Sequence, residues 1–169
     1  GATNYDGHFE AAAGHDAVNA ALVIDFMADG IPFVYNGYEI ADTNHHSIFA
    51  NRFHGKTFTI HWENGFTDAG KDRLKLIKTL CGIKHKEPSI YNGSLEWADN
   101  DNADKIISFV RRDKNNAVLV VANAAKETVK VDVEDFNDSN TVISYGADEI
   151  NDGEITLKAN GYAVLKKKI

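Results

Sequence analysis

The hydrophobic period of this chain changes once, at Glu87-Pro88, and that change limits the folds open to it. Downstream, short alternating segments predict strands at Ser94–Ala98, Lys105–Arg112, Ala117–Ala124, Thr128–Val133, Asn140–Tyr145, Glu154–Lys158 and Tyr162–Lys167. Turn-forming clusters separate them: Asp99-Asn100-Asp101-Asn102, Asp113-Lys114-Asn115-Asn116, Asn151-Asp152-Gly153 and Asn160-Gly161. Strands at this spacing predict an antiparallel sandwich or barrel. Val118–Val121 is apolar at every position, as in a central strand.

Upstream of the break the pattern is α/β. Asp16–Met27 is apolar on nearly every side, which predicts a helix packed between other elements, with Asp16 as its cap. Asp29-Gly30 ends it, and Ile31–Tyr35 then reads as a short buried strand broken by Asn36-Gly37. Residues 41–66 show no period and are rich in histidine and aromatic side chains, the mark of a long functional loop. A second helix is expected from Thr67 or Asp68 to about Lys84, with Gly82 near its end. Its apolar stripe is Leu74, Ile77 and Cys81 with Leu76 and Leu80 beside it, while Lys71, Asp72, Arg73, Lys75 and Lys78 face water. Two domains are therefore expected, residues 1–88 and 89–169.

Composition excludes several classes of function. The net charge of −7 argues against nucleic acid as a partner. A single cysteine, Cys81, allows neither an intramolecular disulfide nor a cysteine metal cage, and it reads as a small core residue. No apolar run approaches the roughly 18 residues of a membrane span, and no leader pattern is visible at the N-terminus.

Tyr35, Tyr38 and Glu39 crowd the C-terminal end of the expected strand, the end where parallel α/β barrels place their chemistry. Carboxylates with aromatic neighbours suit carbohydrate chemistry: retaining glycosidases need a nucleophile and an acid/base carboxylate close together, and aromatic faces stack on pyranose rings.

On these residues the chain resembles the C-terminal part of the α-amylase family of glycoside hydrolases. Thr3-Asn4-Tyr5-Asp6 is similar to the family's Asn-His-Asp motif after the seventh barrel strand. Gly30–Ile40 is similar to the eighth strand and its turn, His61-Trp62-Glu63-Asn64 to the segment before the last barrel helix, and Leu74–Leu80 to that helix. Ile107–Arg112 and Val118–Asn123 are similar to the first strands of the sandwich that follows the barrel. Gly14-His15-Asp16 is a rival for the Asn-His-Asp position. Only thirteen residues, 17–29, separate it from Gly30, too few for a loop and a full helix, whereas twenty-three, 7–29, follow Asp6.

The resemblance implies a barrel remnant of one or two β/α units in an α/β (β/α)8 fold, followed by an all-β antiparallel sandwich. It implies a retaining α-glucan hydrolase as the parent, acting on an α-glucan or maltooligosaccharide, with no cofactor. Asp6 would be the third catalytic carboxylate, with Asn4, Tyr5 and Tyr38 binding substrate. Tyr5 stands where the family has histidine. The nucleophile and acid/base belong to strands that precede this part of the family's fold, so the chain alone is expected to be inactive. A secreted or periplasmic location is expected for the parent, and exposed barrel edges predict a homo-oligomer through residues 1–88. The alternative reading is a non-catalytic carbohydrate-binding or scaffold module, and a third is a stability unit with no ligand.

Other candidates have plainer readings. His45-His46 point apart on an extended loop, so no metal is expected there. Asp99, Asp101 and Asp104 resemble calcium-loop spacing but lack the glycine and closing glutamate, and read as a solvated turn. Trp97, on an alternating strand, reads as core. Glu39 is read equally as structural or as substrate-binding.

Overall fold

The computed structural model describes residues 9–43 and 59–169. It contains the helices α1 (Phe9–Ala13), α2 (His15–Met27), α3 (Asp68–Lys86) and α4 (Pro88–Asn92). The strands are β1 (Ser94–Trp97), β2 (Ile106–Arg112), β3 (Asn116–Asn123), β4 (Val129–Asp132), β5 (Asn140–Ala147) and β6 (Glu154–Lys168). Single 3-10 turns lie at Tyr38–Ile40, Trp62–Phe66 and Glu134–Phe136. Two compact units result: Gly1–Asn19 with Pro32–Thr79, and Ala20–Ile31 with Leu80–Ile169.

In the second unit all six strands form one curled antiparallel sheet, in the order β1-β2-β3-β6-β4 with β5 also on β6. β3 is central: Ala117 to Asn123 are all buried, because β2 and β6 flank the strand and both of its faces are covered. The concave core gathers Ile106, Val110, Leu119, Val121, Val131, Phe136, Leu157 and Leu165, each worth about 1.5–3 kcal/mol when removed from water. On the opposite face Phe109 and Arg111 are fully buried. There Arg111 Nη2 donates to the Gly93 carbonyl at 2.9 Å and Nη1 to the Met27 carbonyl at 3.4 Å, so the last turn of α2 belongs with the sheet. Lys84 Nζ donates to the Ala28 carbonyl at 2.9 Å. Burial and then the nearby Arg111 hold that ammonium below its usual pKa.

Asn160-Gly161 does not separate two strands. The segments expected at Glu154–Lys158 and Tyr162–Lys167 are one 15-residue strand, β6, with Asn160 at φ 57 within it. Its first part pairs with β4 and its second with β3, so the local bend turns one strand from one neighbour to the next. A side chain at Gly161 would meet the Gly146 carbonyl oxygen at 2.7 Å, and β5 shifts register beside it, between Tyr145 and Ala147. By contrast Asp152-Gly153, with φ 49 and 82, is a two-residue turn of the kind that Asp-Gly favours, closed by Asn151 and Glu154.

Both long helices form where expected, but Gly82 does not end the second, which runs on to Lys86. Pro88, which lacks an N–H, starts α4 instead. The expected strand Ile31–Tyr35 is not formed: these residues have no regular structure, with Ile31 96% and Phe33 80% exposed. A buried strand needs ladder partners for its backbone, and among the described residues no strand pairs with it. Trp97 is also corrected. It is 71% exposed, because β1 is the edge of the sheet and, among the described residues, the Phe109 ring, edge-on at 5.7 Å, is its one ring contact.

Candidate functional site

The first unit brings three separate segments onto the N-terminal half of α3. Thr67 opens that helix: its hydroxyl donates to the Asn64 carbonyl at 2.7 Å and accepts the Gly70 N–H at 3.1 Å. Gly70 has no room for a side chain, since a Cβ there would stand 2.0 Å from the Asn64 carbonyl oxygen. The Trp62–Phe66 turn is therefore pressed directly on the helix backbone, with Trp62 56% exposed.

The Tyr38–Ile40 turn is the second segment. Gly37 (φ 95) enters it and Ala41 (φ 54) leaves it, both in the left-handed region that side chains other than glycine's disfavour. Glu39 turns its carboxylate back to accept the Gly37 N–H at 2.8 Å, which favours its structural reading. Tyr38 is buried, its ring edge-on to Tyr35 at 6.2 Å. Asp42 is fully buried and accepts from Asn64 Nδ2 at 2.9 Å and from the His61 N–H at 3.3 Å. It thereby ties the turn to the His61–Asn64 segment.

Arg73 joins the third segment, at the start of α1 and α2. It is fully buried, although the apolar stripe of the sequence places it in water. Its Nη2 reaches both oxygens of Glu10, at 2.8 and 3.0 Å, and the His15 carbonyl at 3.2 Å. Nε donates to Asn19 Oδ1 and Nη1 to the Tyr38 carbonyl at 3.1 Å. His15 Nδ1 stands 2.9 Å from Glu10 Oε1. The inward stripe of α3 is Gly70, Arg73, Leu76 and Leu80. Those residues are spaced by three or four, so an arginine in register with Gly70 and Leu80 was the available signal.

Of the residues assigned to the site from sequence, Asn4, Tyr5 and Asp6 lie outside the described residues, as do His45 and His46. Tyr38 lies in the cluster just described, with its backbone carbonyl bound by Arg73. Glu10, Asn19 and Asp42 were not singled out by the sequence, His15 was named only within the rival Gly14-His15-Asp16, and Arg73 was expected to face water. Among the described residues no group of three or more His, Cys, Asp or Glu side chains is arranged to hold a metal ion. Asp99, Asp101 and Asp104 are exposed, and no described helix is long and apolar enough to cross a membrane.

Residues 95–164 match the family model of the maltogenic amylase C-terminal domain. No curated protein matches the chain. Among solved structures, Amy13B of Eubacterium rectale superposes with a TM-score of 0.70 at 18% identity, over 92% of this chain and 35% of that one. The trehalulose synthase MutB of Pseudomonas mesoacidophila gives 0.69 at 14%, over 89% and 38%. The noncanonic maltogenic α-amylase AmyB of Thermotoga neapolitana gives 0.62 at 20%, over 91% and 37%. The chain thus spans little more than a third of the length of these structures, and it shares their fold, with residues 95–164 similar to the maltogenic amylase C-terminal domain.

Proposed function

We propose that this chain is the C-terminal part of a retaining α-glucan hydrolase, with residues 1–88 the end of its catalytic barrel and residues 89–169 its C-terminal β-domain. One observation carries the reading. The family match is confined to residues 95–164, yet the likeness of fold to Amy13B extends over 92% of the chain, and so into the residues before the sheet. In this reading Asp6 is the carboxylate that orients and stabilises the distorted sugar, and Asn4, Tyr5 and Tyr38 contact it. Retention requires a nucleophile and an acid/base carboxylate about 5–5.5 Å apart. Asp6 by itself supplies neither, so the chain alone is inert and an α-glucan is the partner of the intact enzyme. The segment around Phe33, 80% exposed and paired with none of the described strands, would associate with a second copy when the barrel is incomplete.

Reducing-sugar release from starch and maltooligosaccharides tests this. The purified 169-residue chain gives none, the longer protein that carries it is active, and Asp6→Asn abolishes that activity. Turnover by the chain alone overturns the reading. Light scattering tests the association: an oligomer weakened by Phe33→Asp is expected, and a monomer at high concentration argues against it.

The exposure of Trp97 favours a second reading, in which the β-domain also contacts glucan. An indole held edge-on by Phe109 with most of its surface free is a ready stacking surface for a pyranose ring. Trp97→Ala would then abolish retardation of the chain in a starch-containing gel, and unchanged retardation removes this reading.

A further inference from the structure

Resting on that proposed function, we infer that Arg73 is a positioning residue for the glucan-cleaving site: its guanidinium sets the geometry of the Tyr38 turn and of Glu10 at the start of α1. Three observations lead there.

The first is the distribution of its partners. They lie 35, 54, 58 and 63 residues away in sequence, on the Tyr38 turn, at two places on α2 and on α1. Glu10, which it grips by both oxygens, follows Asp6 by four residues. One planar fork therefore links the chain just after the Asn4-Tyr5-Asp6 motif to the turn that carries Tyr38. A lysine has one ammonium on a flexible stem and cannot hold a carboxylate, an amide and a carbonyl in fixed directions.

The second is the strain in what it holds. The turn is bounded by Gly37 at φ 95 and by Ala41 at φ 54, an alanine in the left-handed region. The Tyr38 carbonyl accepts from both Ala41 N–H and Arg73 Nη1. Such a backbone persists where its surroundings over-determine it, and here the arginine is one of the determinants.

The third is energetic. A buried ion pair stabilises a fold little better than apolar side chains of similar volume. The particular gift of Arg73 with Glu10 is direction: two sites fixed on one rigid group. Misplacing a substrate-contacting group by about 1 Å costs on the order of 100-fold in rate.

The test uses the complete enzyme and the 169-residue chain side by side. In the enzyme, the double variant Arg73→Met/Glu10→Leu should keep a melting temperature close to wild type and a KM within a few-fold. Its kcat on maltooligosaccharides should fall on the order of 100-fold. Arg73→Lys, which keeps the charge without the fork, should lose kcat to a smaller extent. In the chain, the double variant should speed amide hydrogen exchange at Ala41 and Asp42, whose N–H groups close the turn, while exchange in residues 117–122 stays unchanged. A folded double variant, or a folded Arg73→Lys variant, with wild-type kcat overturns the inference. So does unchanged exchange at Ala41 and Asp42, whatever the activity. A wild-type enzyme that releases no sugar overturns the proposed function instead, and the exchange arm then decides the role of Arg73 on its own.

Discussion

Arg73 and Arg111 are both fully buried, and replacing each by methionine should nevertheless give different results. Arg73 faces a carboxylate that is itself only 3% exposed, so Arg73→Met removes the charge that offsets the burial of Glu10. Breaking a buried pair from one side costs about 3–5 kcal/mol. Arg111 faces two carbonyls and, at 3.7 Å, the Asp29 carboxylate, which is 82% exposed and loses little when the arginine goes. Among the described residues its Nε has no hydrogen-bond partner, so part of its desolvation is not recovered there. Arg111→Met gives up two hydrogen bonds from an ionised donor to neutral carbonyls, one of them long at 3.4 Å and each worth at most about 1.5–3 kcal/mol, but it also removes the cost of a buried charge of similar size, and the net change should stay within about 1 kcal/mol. At about 2–4 °C per kcal/mol for a chain of this size, melting should drop by about 6–20 °C for Arg73→Met and by no more than about 4 °C for Arg111→Met. Because the two substitutions lie in different compact units, hydrogen exchange at residues 38–42 and 106–122 assigns each loss to its unit. A second readout is Lys84: with Arg111 gone, its lowered pKa should move back toward the usual lysine range. Equal losses for the two variants would refute the reasoning, since it would mean that burial of the arginine, not the identity of its partner, sets the cost.

Two glycines should respond oppositely to alanine in urea denaturation. Gly161→Ala sets a methyl 2.7 Å from the Gly146 carbonyl oxygen and 2.9 Å from that of Lys158, and should cost about 1–3 kcal/mol. Gly82→Ala, inside α3 with nothing within 4 Å, should stabilise by up to about 1 kcal/mol. The β2–β3 hairpin should loosen in acid. Asp113 accepts the Asn115 and Asn116 N–H groups, and these bonds, with Ser89 Oγ, hold its carboxyl below the ordinary aspartate value of 3.8. A folded pKa below the unfolded one means stabilisation present above pH 3.8 and lost as pH falls through the lower folded value. Exchange at Asn115 and Asn116 should therefore accelerate below that point in the wild type, and be fast at neutral pH in Asp113→Ala.

Elements with a local cause were legible in the amino-acid order. The apolar run of α2, the breaks at Pro88 and Asp152-Gly153, and the alternation of β2 and β3 need only the side chains in one short window, and they appear where the window places them. Features that depend on distant neighbours were not legible there. Ile31–Tyr35 has the composition of a buried strand, yet strand formation requires a partner backbone, and none of the described strands supplies one. Trp97 alternates like a core residue, but β1 is an edge strand with β2 as its one strand neighbour in the described sheet, and it is left largely uncovered. Asn160-Gly161 can turn a chain back or bend it, and the choice belonged to β3 and β4, which pair with opposite ends of β6. Arg73 is the extreme case. Its register with Gly70 and Leu76 sets it apart from Lys71, Lys75 and Lys78, but no residue within a helical turn supplies the partner that lets a charge occupy that stripe. Its burial is set by a carboxylate 63 residues earlier, because a charge leaves water only where another group takes over the role of water.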